Sequence, residues 1–294
     1  MNYVVFDIGG TNIKYSVMNE KCDFLESHKI ETPKQGKYKT QEEIVRIINE
    51  FKLKYDIEGV ALSVPGGIND DLYIHFMGQV VDLENMNLRD YIKEHTGLNS
   101  TYDNDVNCVA LAEKFKGNAV DNSNFLCITI GTGIGGAIFI NDKLYRGKNG
   151  LAGEFGMCII ENENSQINNL GNKSVSRLSS TYNLIDRVKN IKKDFCLDGE
   201  AVFELANKGD NEVINEIENF YFNLAITIYN LSYSFAPEKI LIGGGISERK
   251  DLIENINKKL EIINPNCLKF IKLEVCKFKN DSGQIGALYK YLNE

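Results

Sequence analysis

The sequence predicts an α/β protein of two similar halves facing each other across a cleft, and three observations carry that prediction. Its 294 residues exceed one ordinary domain of about 100–200 residues and suffice for two packed halves. Short apolar runs of strand character alternate with stretches of helical spacing, the layout of a mixed sheet covered by helices. A strand–glycine turn–strand unit opens the chain at Tyr3–Asn19 and returns later. With an offset of 122, Ile8 meets Ile130, Gly9 meets Gly131 and Asn19 meets Asn141.

Taken in order, Tyr3–Ile8 is an apolar run ending at Gly9-Gly10, Asn12–Met18 resumes as a second strand, and 25–31 reads as a third. From Gln41 to Tyr55, Ile44, Ile47, Ile48 and Phe51 follow helical spacing, with Thr40 as the expected cap. Gly59–Val64 is a buried strand stopped by Pro65-Gly66-Gly67. Leu88–Thr96 reads as helix, Ser100–Tyr102 as a short strand, and 106–115 as helix. In the second half, Phe125–Ile130 and Ala137–Ile140 are strands around a glycine turn. Helices follow near 181–193, 199–207 and 211–235, then a strand at Lys239–Ile242, a helix near 249–262 and a terminal helix over Gly283–Tyr291. Tyr221, Phe222, Leu224, Ile228 and Leu231 form an apolar stripe on the long helix, read as core or dimer seam. The expected domains are 1–117 and 118–282, followed by the terminal helix.

Composition removes several classes of function. Apolar residues make up 43% and charged residues 25%, the balance of a folded globular chain. Lys and Arg number 33 against 41 Asp and Glu, and a net charge of −8 opposes binding to a phosphate backbone. The four-residue apolar run before Asp7 is too short for a signal-peptide core. The uncharged stretch Asn122–Asn141 is long enough to raise the question of a span, but its four glycines and two threonines deny it continuous apolar character. Seven scattered cysteines without a CxxC pair, and only three histidines, leave almost nothing to ligate a structural zinc. A cytoplasmic protein without nucleic-acid or membrane partners is expected.

The glycine turns carry the first chemistry. A tight turn between two strands leaves backbone N–H groups pointing into one concavity, where glycine avoids a Cβ that would obstruct an anion. Asp7-Ile8-Gly9-Gly10-Thr11 offers that nest, with the Thr11 hydroxyl as a further donor and Lys14 nearby; a plain hairpin with a surface Asp is the alternative. Asp7 could hold Mg²⁺, through water, since that ion keeps much of its hydration shell. Gly131-Thr132-Gly133-Ile134-Gly135-Gly136 matches G-x-G-x-x-G, yet Ala137-Ile138-Phe139-Ile140 reads as strand, and the dinucleotide fingerprint requires a helix there. No P-loop occurs. Two nests, one from each half, could instead grip one polyphosphate from two sides. Gly243-Gly244-Gly245 follows a strand and precedes a helix; it is either an adenosine contact or an ordinary strand-to-helix turn.

Asp103-Asn104-Asp105-Val106-Asn107 follows a strand and starts a helix, so Asp103 or Asp105 could serve merely as an N-cap. Its company changes that reading. Asp7–Thr11, Leu62-Ser63-Val64-Pro65-Gly66, Asn104-Asp105-Val106-Asn107 with Ala110 and Glu113, Ile130–Gly136, Gly153-Glu154-Phe155-Gly156 and Ile240–Ser247 occur in one order. Together they resemble the ROK family (repressor, open reading frame, kinase) over roughly residues 3–290. The resemblance implies the duplicated actin-like, hexokinase-like ATPase fold with ribonuclease H-like halves. It also implies Asp105 as general base, Asn104 and Glu154 as sugar-hydroxyl ligands, and Gly66-Gly67 lining the sugar pocket. Gly9, Gly10, Thr11 and the Gly131-Thr132-Gly133 turn, with Asn12, Lys14 and Gly135, become phosphate or ATP contacts. Gly243 and Gly244 become part of the adenosine site.

Two departures from the family pattern matter. Zinc-containing members carry a His where this chain has Met157, and a cysteine-rich segment where Gln166–Arg177 has no cysteine. Zinc is therefore not expected, and the sugar edge that this His touches must be met otherwise, with Ser176 or Arg177 as candidates. Asp7 is reached after six residues, which leaves no room for the DNA-binding domain of repressor members. The expected function is an ATP- and Mg²⁺-dependent kinase acting at the 6-hydroxyl of a hexose or N-acylhexosamine. N-acetylmannosamine is favoured, and glucose and a β-glucoside disaccharide come next. A sugar-sensing regulator with weak catalysis and a filament ATPase are the competing classes; a homodimer, and a C-terminal helix of about 283–294 packing back on the first domain, are implied by the resemblance.

Overall fold

The computed structural model describes residues 1–33, 39–75, 80–160 and 172–294. The chain begins with β1 (Asn2–Ile8), β2 (Asn12–Asn19), β3 (Phe24–Glu31), α1 (Lys39–Lys52), β4 (Ile57–Val64), β5 (Gly67–Ile68), β6 (Ile74–His75), α2 (Leu88–Thr96), β7 (Asn99–Asn104) and α3 (Asp105–Lys116). It continues with β8 (Phe125–Ile130), β9 (Ile134–Ile140), β10 (Lys143–Leu144), α4 (Val175–Ser179), α5 (Thr181–Lys192) and α6 (Gly199–Asn207). Last come α7 (Asn211–Phe235), β11 (Lys239–Gly243), α8 (Leu252–Ile263), β12 (Leu273–Val275) and α9 (Ser282–Asn293). Two compact units result: 1–121 with 143–152 and 280–294, and 122–142 with 153–279. The first division thus falls at Asp121–Asn122 rather than at 117/118, and 143–152 counts with the first unit.

In the first unit the sheet order is β3-β2-β1-β4-β7. The β1–β2 and β2–β3 pairs are antiparallel hairpins, whereas β1, β4 and β7 run parallel. The register sets Asp7 beside Lys14 on one side and Ser63 on the other, and Val64 beside Asn104. The polar residues therefore gather at the C-terminal ends of the parallel strands, where open α/β sheets place their ligands. Beneath them, Phe6, Ile8, Leu62 and Val64 pack against Ile44 and Ile48 of α1, all at most 1% exposed. On α9, Gly283 admits the Asp7 carboxylate and Gly286 admits the backbone of Cys108 on α3; a Cβ at either would collide.

In the second unit β8 pairs antiparallel with β9 and parallel with β11, which pairs parallel with β12. The repeat read from the sequence is thus a repeat of topology, with one correction. Ile8 opposes Ile13 across the first turn, but Ile130 opposes Ile134 across the second. The second turn is one residue shorter, so the match of Asn19 with Asn141 is fortuitous. On α7, Tyr221, Leu224, Ile228 and Leu231 are buried while Phe222 is 37% exposed, so the stripe is core for all but one member.

Other elements shift slightly. Thr40 lies inside α1, its N–H donating to Asp82 Oδ2 at 2.8 Å and its hydroxyl buried without a partner, so it is not the cap. α8 starts at Leu252 because Gly245–Glu248 first forms a 3₁₀ turn. Among the described residues, no helix is long and apolar enough to cross a membrane.

Candidate active site

The first glycine turn joins β1 to β2. Gly9 N–H donates to the Asn12 carbonyl at 2.9 Å, and the Gly9 and Thr11 carbonyls are held by Thr32, through its hydroxyl at 2.6 Å and its N–H at 3.0 Å. Thr32 thus fixes both ends of the Gly9–Thr11 segment. Thr11 is exposed and Gly10 half-buried. Asp7, at the end of β1, accepts from Ser63 Oγ at 2.8 Å and lies 3.5 Å from Lys14 Nζ, which also donates to the Asn280 carbonyl at 2.9 Å. One carboxylate so held suits a Mg²⁺ ion kept largely in water and phosphate oxygens.

At the β7–α3 junction the three polar residues divide their tasks. Asn104 is the cap: Oδ1 accepts from the N–H groups of Val106 and Asn107 at 2.9 and 3.2 Å, and Nδ2 donates to the Gly66 carbonyl at 2.9 Å. This ties α3 to the Gly66-Gly67 turn, but both ends of the amide expected to hold sugar hydroxyls are engaged in the protein. Asp103, fully buried, turns inward to Arg146, Asn107 and Lys290. Burial would push its carboxyl up, but Lys290 and the Arg146 guanidinium hold it below the usual 3.8. Asp105 stands on the first turn of α3, with Oδ1 2.9 Å from Val106 N. Gly67 packs on the His75 ring, whose Nε2 lies 2.9 Å from the Asn149 carbonyl.

In the second unit, the turn is Gly131–Gly133 alone. Gly131 N–H donates to the Gly133 carbonyl at 2.9 Å, and Gly131 O accepts from the Thr181 hydroxyl at 2.9 Å and Tyr182 N–H at 3.2 Å. Thr181 thus does for this turn what Thr32 does for the first. Neither threonine was legible as a site residue, since each lies remote in sequence from the turn it holds. Gly135 sits in β9 opposite Thr129, outside the turn, and Gly136 is needed because Phe155 packs where its Cβ would be. Glu154 precedes a 3₁₀ turn over Phe155–Met157, and its neighbours Gly153 and Gly156 are glycines because β9 backbone lies against them. Ser176 Oγ accepts from Ile134 N–H at 2.9 Å, so this hydroxyl braces the β8–β9 hairpin. Met157 is 72% exposed; 166–171 of the compared Gln166–Arg177 segment lies outside the described residues.

A cavity of about 510 Å³ opens beside this turn, lined by Gly131, Thr181, Gly199, Glu200, Phe203, Gly245, Ile246, Glu248 and Arg249. Its volume lies in the range of small-ligand pockets. The Arg249 guanidinium stacks 3.6 Å over the Phe203 ring, a planar surface against which a base can lie. The glycines expected at the adenosine site do not line this cavity: Gly243 packs on Cys276 and Gly244, at φ +86°, on the Ile130 carbonyl, and it is the next residue, Gly245, that faces it.

The chain matches the ROK family model over residues 3–293. It is 32% identical to a β-glucoside kinase of Listeria monocytogenes, an alignment covering 100% of this chain and 98% of that one. A solved Listeria monocytogenes structure, provisionally designated an N-acetylmannosamine kinase, is 31% identical, with a TM-score of 0.90 over 100% of this chain and 99% of that one. A ROK-family structure from Streptococcus pneumoniae TIGR4 in complex with sucrose is 29% identical, with a TM-score of 0.87 over 100% and 98% of the two chains. The hairpin-and-parallel-strand topology of both units, the family match over nearly the whole length and these likenesses lead to one assignment: the chain belongs to the ROK family.

Proposed function

We propose that this chain uses ATP to phosphorylate the primary hydroxyl of a hexose unit carried in a β-glucoside, with Asp105 as the base. As a ROK-family chain with such relatives it is a carbohydrate kinase. The observation that carries the finer reading is the division of tasks at the β7–α3 junction. Asn104 caps the helix and Asp103 lies in an internal ion cluster, and together they hold Asp105 on the first turn of α3, next to the Gly66-Gly67 turn that the family resemblance assigns to the sugar.

In the proposed reaction the sugar oxygen attacks the γ-phosphorus as Asp105 takes its proton. The new O–P bond forms while the bond to the β–γ bridging oxygen breaks, and ADP leaves with that electron pair. The Gly9–Thr11 turn is assigned to phosphate oxygens by family resemblance. The Phe203–Arg249 cavity takes the base. Asp7 would hold Mg²⁺ through water, and the ion when bound neutralises phosphate charge. Glu154 is assigned to a sugar hydroxyl by family resemblance.

A β-glucoside is supported by the similarity to β-glucoside kinases of Listeria monocytogenes and Listeria innocua. The exposed Met157 thioether, where zinc-containing relatives carry His, is an apolar surface suited to an aglycone. N-acetylmannosamine, favoured on the sequence, is the second reading, supported by the designation of the other Listeria structure. Coupled ADP release separates them across cellobiose, an aryl β-glucoside, glucose, N-acetylmannosamine, N-acetylglucosamine, mannose and fructose. The β-glucosides are expected to lead. Turnover confined to N-acetylmannosamine selects the second reading. Silence across the panel, with ATP still bound, replaces the kinase by a sugar-sensing regulator.

A further inference from the structure

Asp103 is fully buried and takes no part in the proposed proton transfer, yet its carboxylate is where three segments remote in sequence meet. From the start of α3 come the N–H of Asn104 at 2.8 Å and Nδ2 of Asn107 at 3.0 Å. From the 143–152 segment comes the Arg146 guanidinium, with Nη1 2.6 Å from Oδ1 and Nη2 on Oδ2. From α9 comes Lys290, its Nζ 3.4 Å from Oδ2 and 2.7 Å from the Tyr102 carbonyl. All of these groups belong to the first unit.

A cluster whose only task were cohesion could lie anywhere in the unit. This one ends one residue before Asn104 and two before Asp105, and Asn104 in turn grips Gly66 through Nδ2. The backbone carrying Asp105 is therefore clamped on one side by the Gly66 turn and on the other by Arg146 and Lys290. A guanidinium engaging both carboxylate oxygens fixes orientation as well as charge, which an ammonium at the same place does not. We propose that Arg146 and Lys290, acting through the buried carboxylate of Asp103, are positioning residues that fix the Asn104–Asp105 backbone for phosphoryl transfer. This inference rests on Asp105 being the base.

The test uses the full chain. Arg146→Lys keeps the charge that a buried carboxylate needs and loses only the two-pronged geometry, so it is chosen to fold; Lys290→Met is the second variant. For each, kcat and the sugar KM are measured by ADP release, folding by thermal unfolding, and local order by hydrogen exchange at the Val106 and Asn107 amides that Asn104 caps. Expected for Arg146→Lys is a fall in kcat of about 10–10²-fold, the scale of a small misplacement of a reacting group. The sugar KM should move by less than about threefold, and exchange should quicken at Val106 and Asn107 but not in β1. Wild-type kcat, or a loss of kcat matched by loss of folded protein with no local change in exchange, overturns the proposal. Should the unaltered chain turn over no sugar, the reading of Asp105 has failed separately. Exchange then decides the clamp alone: quickening at Val106 and Asn107 upholds it, and no change overturns it.

Discussion

At the residue scale, three neighbouring polar side chains have three fates, and only their surroundings tell them apart. Asn104 accepts the first free N–H groups of α3, Asp103 closes an internal ion cluster, and Asp105, on the first turn of α3 with Oδ1 near Val106 N, is the residue proposed as the base. Replacing Asp105 by Asn keeps the shape and removes the proton acceptor. Sugar-dependent kcat should then fall by about 10²–10⁴-fold with smaller effects on sugar binding. Steady-state kinetics with calorimetric sugar titration checks this, and near wild-type turnover would make Asp105 a structural residue. The D-N-D string was legible as a helix start, and the role of base came from the resemblance alone. Which of its members caps was not legible, because Asp and Asn both cap well and the choice depends on Gly66, Arg146 and Lys290, all distant in sequence.

At the scale of the element, the glycines sort by what they approach. Gly244 combines φ +86° with the Ile130 carbonyl where a Cβ would stand, whereas a Cβ on Gly245 meets nothing within 4 Å. Gly244→Ala should therefore destabilise the chain by on the order of 1–3 kcal/mol in urea unfolding. Gly245→Ala should cost no more than about 1 kcal/mol while weakening ATP binding, since it faces the cavity. Equal losses of stability in the two variants would contradict this division. The strand expected after the G-x-G-x-x-G string is there, as β9. Its inner assignment needed the register, which puts Gly135 in β9 and gives Gly136 to Phe155.

At the scale of the whole molecule, charge pairing sets the response to acid. The Asp103 carboxyl is held below 3.8 by Lys290 and Arg146 despite burial, and Glu26 is held to about 2 by hydrogen bonds from His28 and Tyr55. A carboxyl depressed in the folded state contributes stability that is complete above its unfolded pKa and is lost as pH falls through the folded value. The urea midpoint should thus be level from neutral pH to about pH 5 and fall below about pH 4. A midpoint that instead rose on acidification would mean that the Asp103 cluster is not ionised. The two-unit division was legible as a repeated strand–turn–strand unit. The return of 143–152 and 280–294 to the first unit was only half expected: the resemblance implied it for the terminal helix, and nothing in the sequence pointed to it for 143–152.

What the sequence determined by itself was whatever depends on local pattern. Apolar runs ending in glycine specify the strands and turns, helical spacing specifies most helices, and the order of short motifs specifies the family. What only the tertiary structure decided was which polar groups meet. Thr32 and Thr181 hold the turn carbonyls, Arg146 and Lys290 hold Asp103, and Phe203 with Arg249 lines the cavity beside Gly131. The physical reason is range. Backbone geometry and apolar periodicity act over a few residues, but a buried charge or an oriented carbonyl is satisfied by whatever the fold brings within hydrogen-bonding distance, however far along the chain it lies.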